Sequence, residues 1–173
     1  SSDQRFTHGL VCSPHPASFR FHLTMDTLAF GYILPTTGRI LRVNGEWSVG
    51  GELRYARATA QYQQFYPVTR KMTAAFNTEV AMGVATNGLT YPLFKNYYSG
   101  GLGSVRGFEQ GSLTTAKQRA ESLTAIGGAK KVTFNAEFLS PFPGGGNDRT
   151  LRWYTFFDVG GIYGADEAVQ LQE

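Results

Sequence analysis

The chain has 173 residues, enough for one ordinary domain and too few to expect two. Charged side chains make up only 17% and aromatic ones 14%, with 21 glycines, which is typical of a β-rich protein with many tight turns and excludes a largely disordered chain. The net charge of +3 is small and the basic residues are scattered, so the sequence gives no support for a nucleic-acid partner.

Cysteine content and hydropathy limit the class of protein further. The single cysteine, Cys12, excludes an internal disulfide framework. No run of about 18 apolar residues occurs, so the sequence predicts no transmembrane helix. Transmembrane strands need only about 9–11 residues and give a weak hydropathy signal, so the mean hydropathy of −0.23 fits a soluble β domain or a barrel wall.

Residues 1–17 show no periodic pattern, and we predict an irregular N-terminal segment there. His8, Cys12 and His15 have a spacing that could hold a metal ion. No fourth ligand is evident, so a solvated terminal loop is the favoured interpretation. We predict no metal site and no other cofactor.

Alternating apolar and polar residues begin at Ser18 and continue toward Tyr32, which predicts a strand with one apolar face. The segment 34–38 has proline and glycine at opposite ends and predicts a tight turn. A second alternating strand runs from Leu41 to Val49. In both strands the face opposite the apolar residues carries charged and other polar side chains.

A long hairpin is predicted next. Glu52–Tyr66 alternates over more residues than a strand of a small soluble sheet usually has. After a turn at 67–71, Met72–Val84 returns with an apolar face. Aromatic residues gather near the strand ends, as the interfacial girdles of membrane barrels do, although ordinary packing explains them equally well.

Residues 86–131 have no strand pattern, and we predict one long loop there. Loops of this length in a compact domain are usually functional. Thr115 and Gln118 resemble the capping box of a short surface helix. The glycine-dense centre of the loop carries Arg106, whose guanidinium is suited to a forked contact with carboxylates.

Two more strands, at 132–139 and 151–159, follow the loop and are separated by a turn rich in proline and glycine. Glu137 and Asp158 each lie on the less apolar side of their strand. If these strands are adjacent, both carboxylates point to one side of the sheet, where Arg106 could meet them. The predicted fold class is all-β, an antiparallel meander of about six strands.

No catalytic arrangement is evident in the sequence. The spacing from Gly101 to Gly107 only loosely resembles a dinucleotide-binding loop, and no strand–helix–strand unit surrounds it. Ser104 does not lie in a nucleophile elbow. The three histidines lie before residue 23, far from a convincing carboxylate pair. We therefore expect no enzymatic activity.

The segment Val105-Arg106-Gly107-Phe108 resembles the VRGF motif of the BamA family, the outer-membrane barrel assembly factors. Further matches follow in the family's order. They are Tyr97–Gly101 before the motif, Leu34–Gly38, Tyr91–Asn96, Asn135–Phe138 followed by Pro141, and Phe156–Gly160. The matches run from about Asp26 to Gly160 and so cover most of the chain.

The resemblance implies a partial transmembrane β-barrel domain over residues 1–173, in the bacterial outer membrane. The long loop would be extracellular and would fold back into the barrel. Val105, Arg106, Gly107 and Phe108 would form a latch, with Glu137 and Asp158 as inner-wall partners of Arg106. The lipid-facing residues would be Met72, Phe76, Val80, Phe134, Phe138, Trp153 and Phe157.

The implied function is the assembly and insertion of β-barrel proteins into the outer membrane, without covalent catalysis. Implied partners are membrane lipid, unfolded outer-membrane proteins and, through periplasmic domains, accessory assembly lipoproteins. Six strands are fewer than such barrels need, so we expect a C-terminal barrel fragment that cannot close alone. The alternatives are a polypeptide-secreting barrel of the same superfamily and, from another class, a soluble all-β binding module with both sheet faces buried.

Overall fold

A computed structural model describes residues 5–12, 18–26, 29–30, 35–48, 54–86, 91–121, 124–143 and 152–165. The structural statements that follow refer to these residues. Within these ranges, no helix has both the length and the apolar character needed to cross a bilayer.

Eight strands lie within the described ranges. They are β1 (Arg5–Cys12), β2 (Ser18–Asp26), β3 (Ala29–Phe30), β4 (Pro35–Ser48), β5 (Tyr55–Pro67), β6 (Thr73–Ala85), β7 (Lys130–Pro141) and β8 (Arg152–Tyr163). Among the same residues, helical structure is limited to a 3-10 turn at Leu93–Lys95 and a short helix α1 at Ala116–Ala120.

The strands form an antiparallel sheet in the order β1-β2-β4-β5-β6-β7-β8, with β3 paired to β4. Strands that are neighbours in the sheet are therefore neighbours in the chain once β3 is set aside. The predicted all-β antiparallel meander is confirmed. β1 and β3 add to the six strands that the sequence predicted.

The prediction of an irregular N-terminal segment is wrong for Arg5–Cys12, which forms β1 and pairs with β2 along its length. His8 and Cys12 are thus strand residues and not part of a solvated loop, while His15 lies outside the described residues. The apolar residues of β1 fall on both phases, so the sequence carries no period there. Backbone pairing with β2 supplies the order that side-chain alternation does not indicate.

Several boundaries also differ from the predictions. β2 ends at Asp26 and not near Tyr32, and β8 extends to Tyr163 and not only to residue 159. β4 begins at Pro35, inside the segment predicted as a tight turn. β7 begins at Lys130, so the long loop ends at residue 129 and not at 131. Its first residue, Thr86, directly follows β6.

The two faces of the sheet differ in chemistry because successive side chains of a strand point in opposite directions. The inner face, over which the long loop lies, is polar. It carries Arg20, Arg42, Glu46, Arg57, Gln61, Asn77, Glu79, Asn135, Glu137 and Asp158. The outer face is apolar and exposed, and carries Phe19, Phe21, Trp47, Phe76, Val80, Met82, Val84 and Phe157.

The buried apolar clusters lie between the long loop and the sheet. One contains Tyr55, Tyr91 and Ala129. The other joins Val105 and Leu113 of the loop to Ile162 of β8. The loop is therefore packed onto the sheet and forms the small core of this part of the chain.

Candidate functional site

The glycine-dense centre of the loop is a compact turn with its own hydrogen bonds. Gly100 and Gly101 have φ angles of 110° and 94°, which side chains with a Cβ rarely adopt. The amide of Gly101 donates to the carbonyl of Val105 at 3.0 Å, and the amide of Gly100 donates to Ser104 Oγ at 2.8 Å. This turn fixes the backbone immediately before Arg106.

Arg106 meets both predicted carboxylates. Its Nε donates to Asp158 Oδ2 and its Nη2 to Asp158 Oδ1, each at 2.6 Å, which is a forked contact. Its backbone amide also donates to Asp158 Oδ2 at 3.0 Å, and its Nη1 donates to Glu137 Oε1. One arginine thus joins the loop to β7 and β8.

Burial differs between the two carboxylates. The side chain of Asp158 is 3% exposed, that of Arg106 14% and that of Glu137 35%. The guanidinium lies 4.0 Å from the centre of the Phe156 ring, which adds a cation–π contact. The hydrogen bonds to Asp158 raise the pKa of Arg106 above its ordinary value, against the opposing effect of burial. The charged form is therefore the stable one.

The remaining residues of the motif have different environments. Val105 is buried against Leu113 and Ile162. Gly160 of β8 permits this approach, because a Cβ there would come within 2.7 Å of a Val105 methyl group. Phe108 stays about half exposed. Packing at the motif thus centres on Val105 and Arg106.

Asn135 is a site residue that sequence reasoning missed. Its Nδ2 donates to Asp158 Oδ1 at 2.9 Å and also to the carbonyl of Ser104. It stands directly opposite Asp158 in the β7–β8 pairing. The available signal was its position two residues before Glu137, on the same face, but its contact with Asp158 depends on a strand register that the sequence did not define.

A row of side-chain hydrogen bonds, here called the amide row, leads from the site across the inner face. Arg42 donates to Gln61 at 3.3 Å, Gln61 to Asn77 at 3.0 Å, Asn77 to Asn135 at 3.1 Å, and Asn135 to Asp158. Each member donates toward β8. The row connects the five strands from β4 to β8 and ends on the carboxylate that holds Arg106.

The residues predicted to face lipid lie mostly on the outer face. Those of β6, β7 and β8 there are Phe76, Val80, Phe134, Phe138, Trp153 and Phe157. Phe157 is 55% exposed, and Phe134 stacks on Phe76 with ring centres 6.5 Å apart. Met72 is placed differently. It lies in the turn before β6, where its carbonyl accepts bonds from the amides of Val68 and Thr69.

The surroundings of Ser104 indicate a role in the structure of the turn. Ser104 is buried, and its hydroxyl accepts the hydrogen bond from Gly100 described above. Across the ranges that the structure covers, no group of three or more histidine, cysteine, aspartate or glutamate residues could hold a metal ion. The arrangement around Arg106 is suited to holding a loop by charge and shape.

Comparison with known proteins identifies the family of the chain. A model of the Omp85 superfamily domain matches residues 14–172. The outer membrane protein assembly factor BamA of Neisseria meningitidis serogroup B is 35% identical over 156 residues, which cover 84% of this chain and 19% of that protein. BamA of Nitratidesulfovibrio vulgaris is 25% identical over 129 residues, covering 73% of this chain and 16% of that protein. The chain thus spans less than a fifth of the length of these relatives.

The fold also matches a solved structure. The crystal structure of BamA from Haemophilus ducreyi lacking POTRA domains 1–3 superposes with a TM-score of 0.70 at 22% sequence identity. The match covers 84% of this chain and 30% of that one. At this identity the likeness concerns the fold alone.

Proposed function

This chain belongs to the Omp85 superfamily, and we propose that it forms part of the wall of a barrel that assembles and inserts β-barrel proteins. The resemblance to the BamA family, indicated by the VRGF motif, is confirmed by the two relatives and the shared fold. Its location is the bacterial outer membrane, as for these relatives. Both relatives are assembly factors, which favours assembly over polypeptide secretion.

The chemistry of the two sheet faces supports a place in a membrane wall. β5 and β6 have 13 residues each, more than the roughly 9–11 that a transmembrane strand needs. A barrel wall in lipid presents apolar residues outward and polar residues to its interior. The outer-face residues Phe76, Val80, Phe134, Phe138, Trp153 and Phe157 would contact lipid, with Met72 near the boundary. A soluble module with both faces buried would not leave this apolar face exposed.

The forked contact between Arg106 and Asp158 carries the proposal of a latch. Hydrogen bonds to charged groups contribute about 1.5–3 kcal/mol each, whereas an exposed ion pair contributes about 0–1 kcal/mol. Removing one partner of a buried pair costs about 3–5 kcal/mol, because the other charge remains without compensation. The motif Val105–Phe108 would thus keep the long loop against the inner wall and inside the barrel.

The proposed activity needs no covalent chemistry. We propose that the intact protein acts on unfolded outer-membrane proteins within the lipid of the outer membrane. Accessory lipoproteins would bind through its periplasmic domains. The role of this chain would be to supply a stable wall with a fixed interior loop.

The test is Arg106→Ala in the intact protein, with Arg70→Ala in the exposed β5–β6 turn as the matched control. We expect the R106A barrel to lose its compact form at a lower temperature in heat-modifiability gels and to assemble a substrate barrel more slowly. The control should behave as the natural protein does. Unchanged values for both measurements in R106A would contradict the latch.

A further inference from the structure

The long loop also contacts the inner face far from Arg106. Lys95, the last residue of the 3-10 turn, directs its Nζ to Glu46 Oε1 at 3.0 Å and Oε2 at 3.4 Å. The side chains of Lys95 and Glu46 are only 20% and 11% exposed. This contact is therefore partly buried, unlike the exposed ion pairs that contribute little to stability.

Glu46 is the carboxylate that three cations share. Arg20 of β2 lies 3.1 Å away, and Arg57 of β5 lies 3.5 Å away. The Tyr55 hydroxyl also donates to Glu46 Oε1 at 2.9 Å. With Lys95, three cations meet at one carboxylate, whose negative charge offsets part of their mutual repulsion.

The backbone at Lys95 is held by its own contacts. The hydroxyl of Tyr91 donates to the carbonyl of Lys95 at 3.1 Å, and the Tyr91 ring packs edge-on against Tyr55. Gly83 of β6 makes room for that ring, since a Cβ there would come within 2.3 Å of it. These contacts hold the turn that presents Lys95 without any residue of the turn that presents Arg106, while Tyr97, farther along the chain, packs against Val105, Leu113 and Ile162.

Protonation also favours this contact. Burial alone would lower the pKa of Lys95, but hydrogen bonds with Tyr55 and Glu46 outweigh that effect and raise it above its ordinary value. The ammonium group also lies 5.3 Å from the centre of the Tyr55 ring. Lys95 therefore stays charged at neutral pH.

We propose that Lys95 and Glu46 form a second fixing point, which holds the first limb of the loop (residues 91–98) separately from the second limb (residues 99–113). The proposal rests on the loop lying against the inner wall of the barrel, as proposed above. Lys95 is the positioning residue, and Glu46 is its ion-pair partner on the wall.

The two fixing points lie on different parts of the wall. Glu46 is on β4 with neighbours on β2 and β5, while Asp158 and Glu137 are on β8 and β7. They also differ in depth. The strand pairing places Glu46 level with Gly83 of β6, and Asp158 level with Asn77 of β6. These two positions of β6 are roughly 20 Å apart, at about 3.3 Å per residue. The loop thus spans the inner face between two groups of strands.

Hydrogen exchange of the intact protein in detergent tests this directly. In Lys95→Met, we expect amide exchange of residues 91–98 to become about three- to tenfold faster, with little change in residues 99–113. Arg106→Ala should give the reverse pattern. Lys71→Met, in the exposed β5–β6 turn, is the matched control and should change neither limb.

Glu46→Gln should reproduce the effect of Lys95→Met on the first limb. If Glu46→Gln prevents folding, as heat-modifiability gels would show, Lys95→Met still decides the matter. Unchanged exchange in residues 91–98 of K95M, or equally faster exchange in both limbs, would overturn the separate fixing point. Unchanged heat-modifiability and assembly in R106A would contradict the proposed latch but leave the K95M result standing, so the two failures are distinguishable.

Discussion

Asp158 accepts three hydrogen bonds from Arg106, two from the guanidinium and one from the backbone amide. The hydrogen bond from the backbone amide fixes where the main chain of the loop lies. The two bonds from the guanidinium fix the direction of the side chain. The contact therefore depends on the shape of arginine as well as on its charge.

Arg106→Lys should weaken the latch nearly as much as Arg106→Ala does. A lysine keeps the positive charge but cannot form two parallel bonds to Asp158 or stack flat on Phe156. We expect a loss of about 2–4 kcal/mol in the stability of the docked loop, measured by urea dependence of hydrogen exchange in residues 99–113. Arg70→Lys is the control, and an R106K protein as stable as the natural one would refute the importance of the fork.

The two carboxylates should differ in their contributions. Asp158→Asn keeps the shape but removes the charge from a buried partner, and we expect it to destabilise the docked loop by about 3 kcal/mol. Glu137→Gln should cost only about 0–1 kcal/mol, because Glu137 is partly exposed and solvent screens its charge. Equal effects, or a larger effect of E137Q, would contradict this ranking.

Asn135→Asp should be more damaging than Asn135→Ala. The alanine variant loses the bonds to Asp158 and to the Ser104 carbonyl, while the aspartate also places a second negative charge beside Asp158. We expect N135D to release the second limb, which faster exchange in residues 99–113 would reveal. Gln110→Glu, on the exposed part of the loop, controls for the added charge. The idea fails if N135D is milder than N135A.

Gly100 and Gly103 of the loop should respond differently to replacement by alanine. Gly100 has a φ of 110°, and a Cβ there would come within 2.6 Å of the Glu109 carbonyl oxygen. A Cβ at Gly103 would meet nothing within 4 Å. We therefore expect Gly100→Ala to destabilise the docked loop by about 1–3 kcal/mol and Gly103→Ala to be near neutral, both measured by thermal heat-modifiability. A neutral G100A would show that the turn tolerates rearrangement.

Much of the sheet could be predicted because its residues alternate. The phases of the strands around Phe19, Trp47, Phe76 and Phe157 place the apolar side chains on one face, and the sequence shows this directly. The same phases put Glu137 and Asp158 on the opposite face, which made them candidate partners for Arg106. Local alternation was sufficient for these conclusions because each concerns one strand at a time.

Other features depend on how distant segments meet, and the sequence does not show that. The residues of β1 lack alternation because their apolar side chains fall on both phases, and the strand is defined by its pairing with β2. The contact between Lys95 and Glu46 joins residues 49 positions apart. It depends on the path of the loop over the sheet, which no local pattern specifies.

The amide row has a direction. Each of its three amides accepts a bond from one neighbour and donates to the next, so rotating a single amide would set two N–H groups against each other on one side and two oxygens on the other. Only a concerted rotation could reverse it, and the ends forbid this, since Arg42 can only donate and the Asp158 carboxylate can only accept. The inner face is thus polarised from β4 to β8, and an unbroken row of hydrogen bonds joins Arg42 of β4 to the carboxylate that holds the second limb.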